Sequence, residues 1–340
     1  FKKLNRKNTC CLNVMFKFYH IPACHLYLRC MQVHTDINKL PQFKNAVITI
    51  GTFDGVHKGH QQIIEQLKKE AKAIYGETVI ITFHPHPRSV VPGRNSVSIL
   101  TTPEEKIELL EKMGIDHLVI IPFDLNFSQQ SATTFIRDFL VEKFHPHTVI
   151  IGYDHRFGKG REGDYQLMEK MGMESGFTVK EIPEQVLNDV TVSSTKIREA
   201  LMKDEIAIAN NYLGHAYFFE GKVIEGKKLG RALGFPTANI EISTAEKLIP
   251  GIGIYAVEAQ LKDEPNLLKG MMSIGFRPTI GGTPKTIEVN IFNFDRDIYG
   301  KKVRVFVKYF LRDEIKFPGL DALKMQMKKD EEEALSLLGA

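Results

Sequence analysis

The spacing of apolar residues in the first part of the chain predicts short buried strands that alternate with amphipathic helices. The run Val47–Ile50 is apolar and β-branched, which is typical of a fully buried strand. Apolar residues then recur at helical spacing from Ile63, and Gly76 predicts where that helix ends. Thr102-Pro-Glu-Glu105 is a capping-box pattern with proline at the first helical position, and it predicts a second helix that ends before Gly114.

The same alternation continues to about residue 200. Further strands are predicted at Thr78–Phe83, His117–Ile121, Thr148–Ile151 and Phe177–Ile182, and further helices at Ser131–Lys143 and Asp164–Glu174. Strands that alternate with helices favour right-handed crossovers and a parallel sheet covered on both faces. We therefore predict a doubly wound α/β domain over residues 31–200, with its ligand site beyond the carboxyl ends of the strands.

The pattern changes after a short helical stretch at residues 201–214, which we interpret as a linker helix. Five β-rich runs follow, with Gly, Pro and Asn turns between them: Tyr217–Ile224, Ile254–Leu261, Leu268–Ile274, Ile287–Phe294 and Val303–Phe310. Alternation is clear in Val303-Arg-Val-Phe-Val-Lys-Tyr-Phe, and it favours antiparallel strands in a small β-barrel. A final helix from about Gly319 to Leu338, with Leu320 among its inward residues, completes a second domain over residues 215–340.

Residues 1–30 differ in composition from the rest of the chain. They hold six Lys or Arg, no Asp or Glu, and all four cysteines. Removing those six positive charges turns the formal net charge from +4 to −2, so charge gives no general argument for nucleic-acid or membrane partners. The cysteine-free remainder suits a cytoplasmic enzyme. We leave residues 1–30 unassigned as a non-native or disordered extension before Met31, with a basic targeting arm as the alternative.

A glycine-rich link between the first predicted strand and helix is the first candidate site. It reads Gly-Thr-Phe-Asp-Gly-Val-His-Lys-Gly-His from Gly51 to His60. Glycines let the backbone approach a ligand, and free N–H groups at a helix start favour anions, so the link predicts a phosphate site. It is not a Walker A loop, because Lys58 is followed by Gly-His. The imidazoles of His57 and His60 can donate hydrogen bonds to a phosphate under attack and to departing pyrophosphate.

Two other interpretations of these histidines stay open. The link could be a tight turn in which the histidines are incidental. Alternatively, His57 and His60 could bind zinc together with His84 and His86, although no cysteine or obvious carboxylate ligand is near them in the sequence.

The order of strand, His-x-Gly-His and helix resembles the nucleotidylyltransferase superfamily. The longer string resembles the adenylyltransferase half of the bacterial bifunctional riboflavin kinase/FAD synthetases. This resemblance implies a nucleotidylyltransferase-like sheet in which His57 and His60 are catalytic. It also implies that five residues of the link bind ATP phosphates: Gly51, Phe53, Asp54, Gly55 and Gly59.

Val192-Ser-Ser-Thr-Lys-Ile-Arg198 is a second anion-binding candidate at a predicted helix start. The serines alone would be explained as helix caps, but the arginine one turn later adds a cation. The string resembles the family motif Ser-Ser-Thr-x-x-Arg, whose hydroxyls and cation hold the triphosphate. The residues that match are Ser193, Ser194, Thr195 and Arg198, and we also count Arg198 as catalytic.

Two loops that follow predicted strands add candidate flavin-binding residues at the predicted ligand site. Gly152-Tyr-Asp-His-Arg-Phe-Gly158 resembles the family's Gly-x-Asp-x-x-Phe-Gly loop, which implies that Asp154 and Arg156 bind flavin. Asp154 could instead only cap a turn. By the same resemblance, the loop that contains His84 and His86 borders the nucleotide and flavin pockets, although it could equally be a rigid proline turn.

The second domain carries its own glycine-rich and basic string, from Gly226 to Asn239. Its composition alone supports an anion-binding loop or a plain hairpin. The part Gly-Arg-x-Leu-Gly-Phe-Pro-Thr-Ala-Asn resembles the riboflavin kinase signature, which implies that Thr237 and Asn239 bind the magnesium of a magnesium–nucleotide. The loop residues that would bind its phosphates are Gly226, Gly230, Arg231, Gly234 and Pro236.

Glu288 is an ionisable residue in an otherwise apolar predicted strand. It could be an outward-facing carboxylate on an exposed strand face. Its segment resembles the kinase family's Glu-Val-x-x-x-x-Phe, which implies that Glu288 is the base for the riboflavin 5′-hydroxyl. Many family members have histidine where this chain has Asn290. The resemblance also implies that Arg312 contacts the flavin ring.

The resemblance runs from about Met31 to the C-terminus and implies two reactions. The second domain would phosphorylate riboflavin to FMN with ATP and Mg2+, and the first would join AMP from a second ATP to FMN. An adenylyltransferase for another phosphorylated acceptor and a non-enzymatic flavin- or RNA-binding regulator remain as alternatives. We expect small-molecule partners only, without nucleic acid or membrane, in a monomer or weak homo-oligomer.

Overall fold

The structure is a computed structural model that describes residues 30–93, 96–182, 192–226, 230, 234–262, 264–276 and 285–339. Residues 1–29 of the N-terminal extension and the predicted phosphate-binding residue Arg231 lie outside the described residues. Along the described chain, a parallel sheet flanked by helices is followed by a closed antiparallel barrel and a C-terminal helix. The predicted fold class is therefore confirmed.

The first unit is a six-stranded sheet in the order β1-β4-β3-β2-β5-β6, and every pairing is parallel. Its strands are β1 Gln32–His34, β2 Val47–Ile50, β3 Thr78–His84, β4 His117–Pro122, β5 Thr148–Gly152 and β6 Thr178–Ile182. The five strands predicted from apolar runs are all present. The sequence did not predict β1, because three residues are too few to show a period.

The helices of this unit connect successive strands. They are α1 Lys58–Ala73, α2 Pro87–Val90, α3 Pro103–Lys112, α4 Leu125–Ser128, α5 Ala132–Thr134, α6 Glu142–Phe144 and α7 Tyr165–Ser175. A π-helical segment, Phe135–Val141, joins α5 to α6. The predicted capping box at the start of α3 is formed in both directions between Thr102 and Glu105.

Apolar side chains of the sheet alternate between two cores. Ile48 and Val79 are buried in one core, whereas Val47 and Ile80 are buried in the other together with Leu67 of α1. Both faces of the sheet are therefore covered. This explains why the strands read as continuous apolar runs and not as an alternation of apolar and polar residues.

The second unit is a closed barrel in the order β10-β11-β8-β7-β12-β9. Its strands are β7 Tyr217–Ile224, β8 Ala238–Glu241, β9 Gly253–Leu261, β10 Leu268–Phe276, β11 Lys285–Ile291 and β12 Lys302–Arg312. The five β-rich runs of the sequence correspond to five of these strands. The sixth, β8, has only four residues and begins within the last two residues of the kinase-like string, and no alternation in the sequence marked it.

The helices α8 (Ser194–Met202) and α9 (Ile206–Leu213) pack on the barrel. Leu201 is fully buried in the same apolar core as Tyr217 of β7. The stretch 201–214, predicted as one linker helix, therefore contains the end of α8, a break and α9. Both helices contribute to the apolar core of the barrel, and α8 crosses the predicted domain boundary at residue 200.

The C-terminal helix, α10 (Leu320–Leu337), packs on the barrel through its second half. Ala334 is fully buried, and Met327 packs against the same cluster. The prediction that Leu320 faces inward is wrong, because this first residue of the helix is 67% exposed and precedes the packed residues. In the described part of the chain, no helix has the length and apolar character needed to cross a lipid bilayer.

Candidate active sites

A cavity of about 770 Å³ opens at the carboxyl ends of the parallel strands. Its lining includes Gly51 after β2, Phe83 in β3, Phe123 after β4 and Gly152 at the end of β5. Doubly wound sheets bind their ligands at this edge. The predicted site residues that line the cavity are Gly51, Phe53, His57, Gly59, His60, Asp154, Arg156, Ser193, Ser194, Thr195 and Arg198.

The two histidines of the glycine-rich link are positioned by the start of α1. His57 is the N-cap, and its Nδ1 accepts a hydrogen bond from the backbone N–H of His60 over 3.4 Å. Because Nδ1 accepts, the proton of a neutral His57 ring sits on Nε2. The two rings stack with their centroids 3.7 Å apart and their planes 17° apart.

Both imidazoles are neutral because they are buried. Burial lowers the pKa of His57 to about 4. The pKa of His60 is held well below its ordinary value by burial and then by the neighbouring His57 ring. His60 Nδ1 is buried without a hydrogen-bond partner among the described residues. A neutral ring with an unused buried nitrogen suits an incoming polar ligand.

The geometry disfavours the zinc interpretation of these histidines. The lone pairs of an imidazole lie in the ring plane, so two nearly parallel stacked rings do not converge on one ion. In addition, His57 Nδ1 already accepts a hydrogen bond. Within the described ranges, no group of three or more His, Cys, Asp or Glu is arranged to hold a metal ion.

Two residues of the glycine-rich link face the loop at residues 98–102. Asp54 is 2% exposed and accepts hydrogen bonds from the backbone N–H groups of Leu100 (2.9 Å) and Thr101 (3.0 Å). The backbone N–H of Gly55 donates to the Thr101 hydroxyl over 3.1 Å. Gly55 also has φ +84°, a left-handed conformation that favours glycine. Asp54 and Gly55 thus fix the loop.

Arg198 reaches the cavity from α8. Its Nη2 forms an ion pair with Asp54, and its Nε donates to the Ser98 carbonyl over 2.7 Å. The Ser194 hydroxyl donates to the backbone carbonyl of Asp54 over 2.9 Å. Ser193 is the N-cap of α8, as the capping interpretation expected. The Ser-Ser-Thr-x-x-Arg string is therefore joined directly to the glycine-rich link.

The loop after β5 brings further polar groups to the same cavity. Arg156 donates to Asp164 over 2.9 Å, and Asp154 is among the lining residues. His155, which the sequence analysis did not single out, has a buried Nε2, and desolvation lowers the pKa of this ring to about 4. Arg88 and Arg161 also line the cavity and add positive charge to it.

In the barrel, the predicted base and the predicted magnesium ligands lie together. The Thr237 hydroxyl donates to Oε2 of Glu288 over 3.1 Å, and Asn239 is paired in register with Glu288 across β8 and β11. Gly226 lies against Asn239, because a Cβ at residue 226 would come within 2.1 Å of the amide nitrogen. Hydroxyl, amide and carboxylate oxygens are the ligand types that Mg2+ prefers, so this group fits magnesium.

A second cavity, of about 300 Å³, opens beside these residues, and Pro236, Thr237 and Tyr299 are in its lining. The Pro236 carbonyl accepts a hydrogen bond from Asn290 over 2.7 Å, so Asn290 supports the loop that carries Thr237. Gly234 has φ +88° in this loop. The Gly230 carbonyl accepts from the Phe235 N–H over 2.9 Å.

Arg312 is held by the C-terminal helix. Its guanidinium forms two hydrogen bonds with the buried carboxylate of Asp330, at 2.9 and 2.6 Å, and lies 5.8 Å from the ring centroid of Phe317. A bidentate arginine–carboxylate pair fixes the orientation of the guanidinium.

Two family models match the chain: FAD synthetase over residues 39–196 and riboflavin kinase over residues 213–338. The bifunctional riboflavin kinase/FMN adenylyltransferase of Haemophilus influenzae is 38% identical over 291 residues, which cover 86% of this chain and 94% of that protein. The protein of the same name from Escherichia coli K12 is 36% identical over 305 residues, 89% of this chain and 96% of that protein. The chain belongs to this bifunctional family.

A crystal structure reported for a macrolide-efflux protein from Streptococcus pneumoniae has the same fold. It superposes with a TM-score of 0.80 at 27% identity and covers 90% of this chain and 98% of that chain. The likeness shows a shared architecture over most of both chains.

Lys106 is a site residue that the sequence analysis missed. Its buried Nζ donates to the Thr52 carbonyl over 2.6 Å and contacts the Thr82 hydroxyl at 3.2 Å, so it supports the backbone of the glycine-rich link. Burial lowers the pKa of Lys106 to about 8. A signal was present in the sequence, because Lys106 shares one face of the predicted helix with the apolar Leu110.

Proposed function

We propose that this chain makes FAD from riboflavin in two ATP-dependent steps, one in domain 31–200 and the other in domain 215–340. The observation that carries the proposal is the presence of two separate groups of residues that are predicted to bind nucleotide phosphates. One group surrounds the stacked pair His57 and His60, and the other surrounds the hydrogen-bonded pair Thr237 and Glu288.

In the barrel, Glu288 accepts the proton of the riboflavin 5′-hydroxyl, and the 5′-oxygen attacks the γ-phosphorus of ATP. The bond from that phosphorus to the bridging oxygen breaks, and ADP leaves. Thr237 and Asn239 would hold Mg2+, which would offset negative charge on the phosphates. The loop residues Gly226, Gly230, Gly234 and Pro236 cover the nucleotide phosphates, and Arg231 stays a phosphate-binding prediction from the sequence.

In the parallel-sheet domain, a phosphate oxygen of FMN attacks the α-phosphorus of a second ATP, and pyrophosphate leaves. The Nε2–H of His57, the ring of His60 and the start of α1 stabilise the charge that develops there. Neutral imidazoles suit this role, because each keeps one N–H to donate. Ser193, Ser194, Thr195 and Arg198 hold the triphosphate from α8.

The flavin of the second step lies on the side of Asp154 and Arg156. Phenylalanines in the lining of the same cavity offer apolar surface for an aromatic ring system, among them Phe83, Phe123, Phe127 and Phe135. In the kinase step, Arg312 contacts the flavin ring from β12. Three properties stay predictions from the sequence. The protein is predicted to be a monomer or weak homo-oligomer, to have no nucleic-acid or membrane partners, and to lie in the cytoplasm.

The test is to incubate the purified protein with riboflavin, ATP and Mg2+ and to resolve the flavins over time. We expect FMN to appear first and FAD to follow. Product analysis with FMN supplied directly separates the two reactions. Absence of both products would overturn the proposal, and FMN without FAD would indicate a different acceptor for the adenylyl group.

A further inference from the structure

A lysine of the barrel unit is buried against the parallel-sheet domain. Lys247 lies between β8 and β9, and its Nζ donates to the Glu105 carboxylate and to the Leu100 carbonyl, both over 2.6 Å. The side chains of Lys247 and Glu105 are 1% and 3% exposed. Glu105 is the capping-box residue of α3, so the contact joins the two units.

The backbone beside Lys247 holds the same loop. Ile99 N–H donates to the Glu246 carbonyl over 2.7 Å, and Leu248 N–H donates to the Ile99 carbonyl over 2.9 Å. Ile99 and Lys247 form an isolated parallel bridge. A segment of the barrel unit is thus hydrogen-bonded along the loop at residues 98–102.

The opposite side of that loop faces the candidate adenylyl-transfer site. The N–H of Leu100 donates to Asp54, while its carbonyl accepts from Lys247. The Ser98 carbonyl accepts from Arg198, and Asp54 forms an ion pair with Arg198. One short loop therefore connects the barrel lysine to the cation at the cavity.

Stability alone does not explain the buried ion pair between Lys247 and Glu105. Burial raises the pKa of Glu105 and lowers the pKa of Lys247, so each charge persists chiefly because of the other. Desolvation offsets much of the attraction in a buried pair, and an apolar replacement of both partners is often neutral for stability. What the pair adds here is a fixed position for the Leu100 carbonyl.

We propose that Lys247 is a positioning residue for adenylyl transfer, because it fixes loop 98–102 and thereby the orientation of Arg198 at the ATP phosphates. This inference rests on the proposed function of the parallel-sheet domain. Lys247 itself does not line the cavity described above. It acts through Leu100, Asp54 and Arg198.

The main test removes both buried charges together. In Lys247→Met/Glu105→Gln no unpaired charge remains, and the new amide oxygen can still accept the capping hydrogen bond, so we expect melting near that of the parent. For FAD formation, we expect KM for ATP to rise, so that kcat/KM for ATP falls by ~10–100-fold, while KM for FMN stays unchanged. Riboflavin phosphorylation should stay at the parent rate. A merely structural role would lower the active fraction and leave both KM values unchanged.

Lys285 provides a matched control. It donates to the carbonyls of Ile249 and Pro250, at 3.2 and 2.6 Å, and so supports the same barrel segment from inside the barrel unit. We expect Lys285→Met to retain parent kcat/KM for ATP in FAD formation. An equal loss in Lys285→Met and in the double variant would overturn the proposal, as would parent kinetics in the double variant.

A double-mutant cycle tests whether Lys247 acts through Arg198. If it does, Lys247→Met/Glu105→Gln should add little further loss of FAD formation in an Arg198→Ala background. Fully additive losses would contradict the positioning role. Failure of the parent protein to make any FAD would instead overturn the proposed function, so the two proposals fail in distinguishable ways.

Discussion

Asp54 and Arg198 form an ion pair although 144 residues separate them in the chain. The carboxylate belongs to the glycine-rich link, and the guanidinium belongs to a helix that packs on the barrel. Because Asp54 also accepts the N–H groups of Leu100 and Thr101, it orients the arginine and the adjoining loop together. Its role in the proposed site is to direct a cation toward phosphate.

Asp54→Asn tests this relationship. Asparagine keeps an oxygen that can accept the two loop N–H groups, but it removes the charge that holds Arg198. We expect FAD formation from FMN to fall by ~10–100-fold, while riboflavin phosphorylation continues. Steady-state kinetics of each step provide the measurement. Asp36→Asn, at an exposed cap, is the control, and an equal effect there would contradict the assignment.

Glu288→Gln separates the two activities. Glutamine keeps the shape of the side chain but cannot accept the proton of the 5′-hydroxyl, so FMN formation should fall by ~10²–10⁴-fold. FAD formation from supplied FMN should persist. Glu258, a carboxylate of β9 that pairs with Lys308 over 3.2 Å, gives the matched control Glu258→Gln. Normal FMN formation by Glu288→Gln would show that another group is the base.

His60→Ala should nearly abolish FAD formation and leave riboflavin phosphorylation unchanged. Loss of one preorganised donor at a developing charge typically lowers kcat by ~10²–10³-fold. Both flavin products, zinc content and thermal unfolding should be measured, with His145→Asn as the exposed control. Full FAD synthesis by His60→Ala would refute the catalytic role, and stoichiometric zinc in the parent protein would revive the metal interpretation.

The buried neutral His57 predicts how stability depends on pH. Its folded-state pKa of about 4 lies below the ordinary value of 6.5, so between these values the unfolded chain binds a proton that the folded protein does not. The free energy of unfolding should therefore fall as pH drops from 6.5 to 4, by at most about 3 kcal/mol from this group. In urea unfolding at several pH values, His57→Gln should show a shallower decline. Identical slopes would contradict the assignment.

Deletion of residues 1–30 should leave folding and both activities intact. No motif or periodic element lies before Met31, and the composition changes abruptly there. Melting temperature and both rates should match those of the full chain. A clear loss of either would show that the extension contributes.

Local signals in the sequence determined much of the fold. Strand β7 has the bounds of the β-rich run that predicted it, and the capping box at Thr102 is formed, because strand composition and capping depend on residues that are neighbours in the chain. The parallel sheet follows from the alternation of strands and helices. The glycine-rich strings also predicted phosphate sites from backbone freedom and helix starts, which are local properties, and the first string lines the cavity at the strand ends.

Tertiary structure decided which of those residues meet. The sequence placed Asp54 among phosphate ligands, whereas packing buries it and pairs it with Arg198. The sequence pattern also assigned the residues of α9 to a linker, although burial of apolar side chains joins that helix to the barrel core. The contact of Lys247 with Glu105 had no signal in the sequence. Contacts across more than a hundred residues depend on how whole elements pack, and no local period or cap encodes that arrangement.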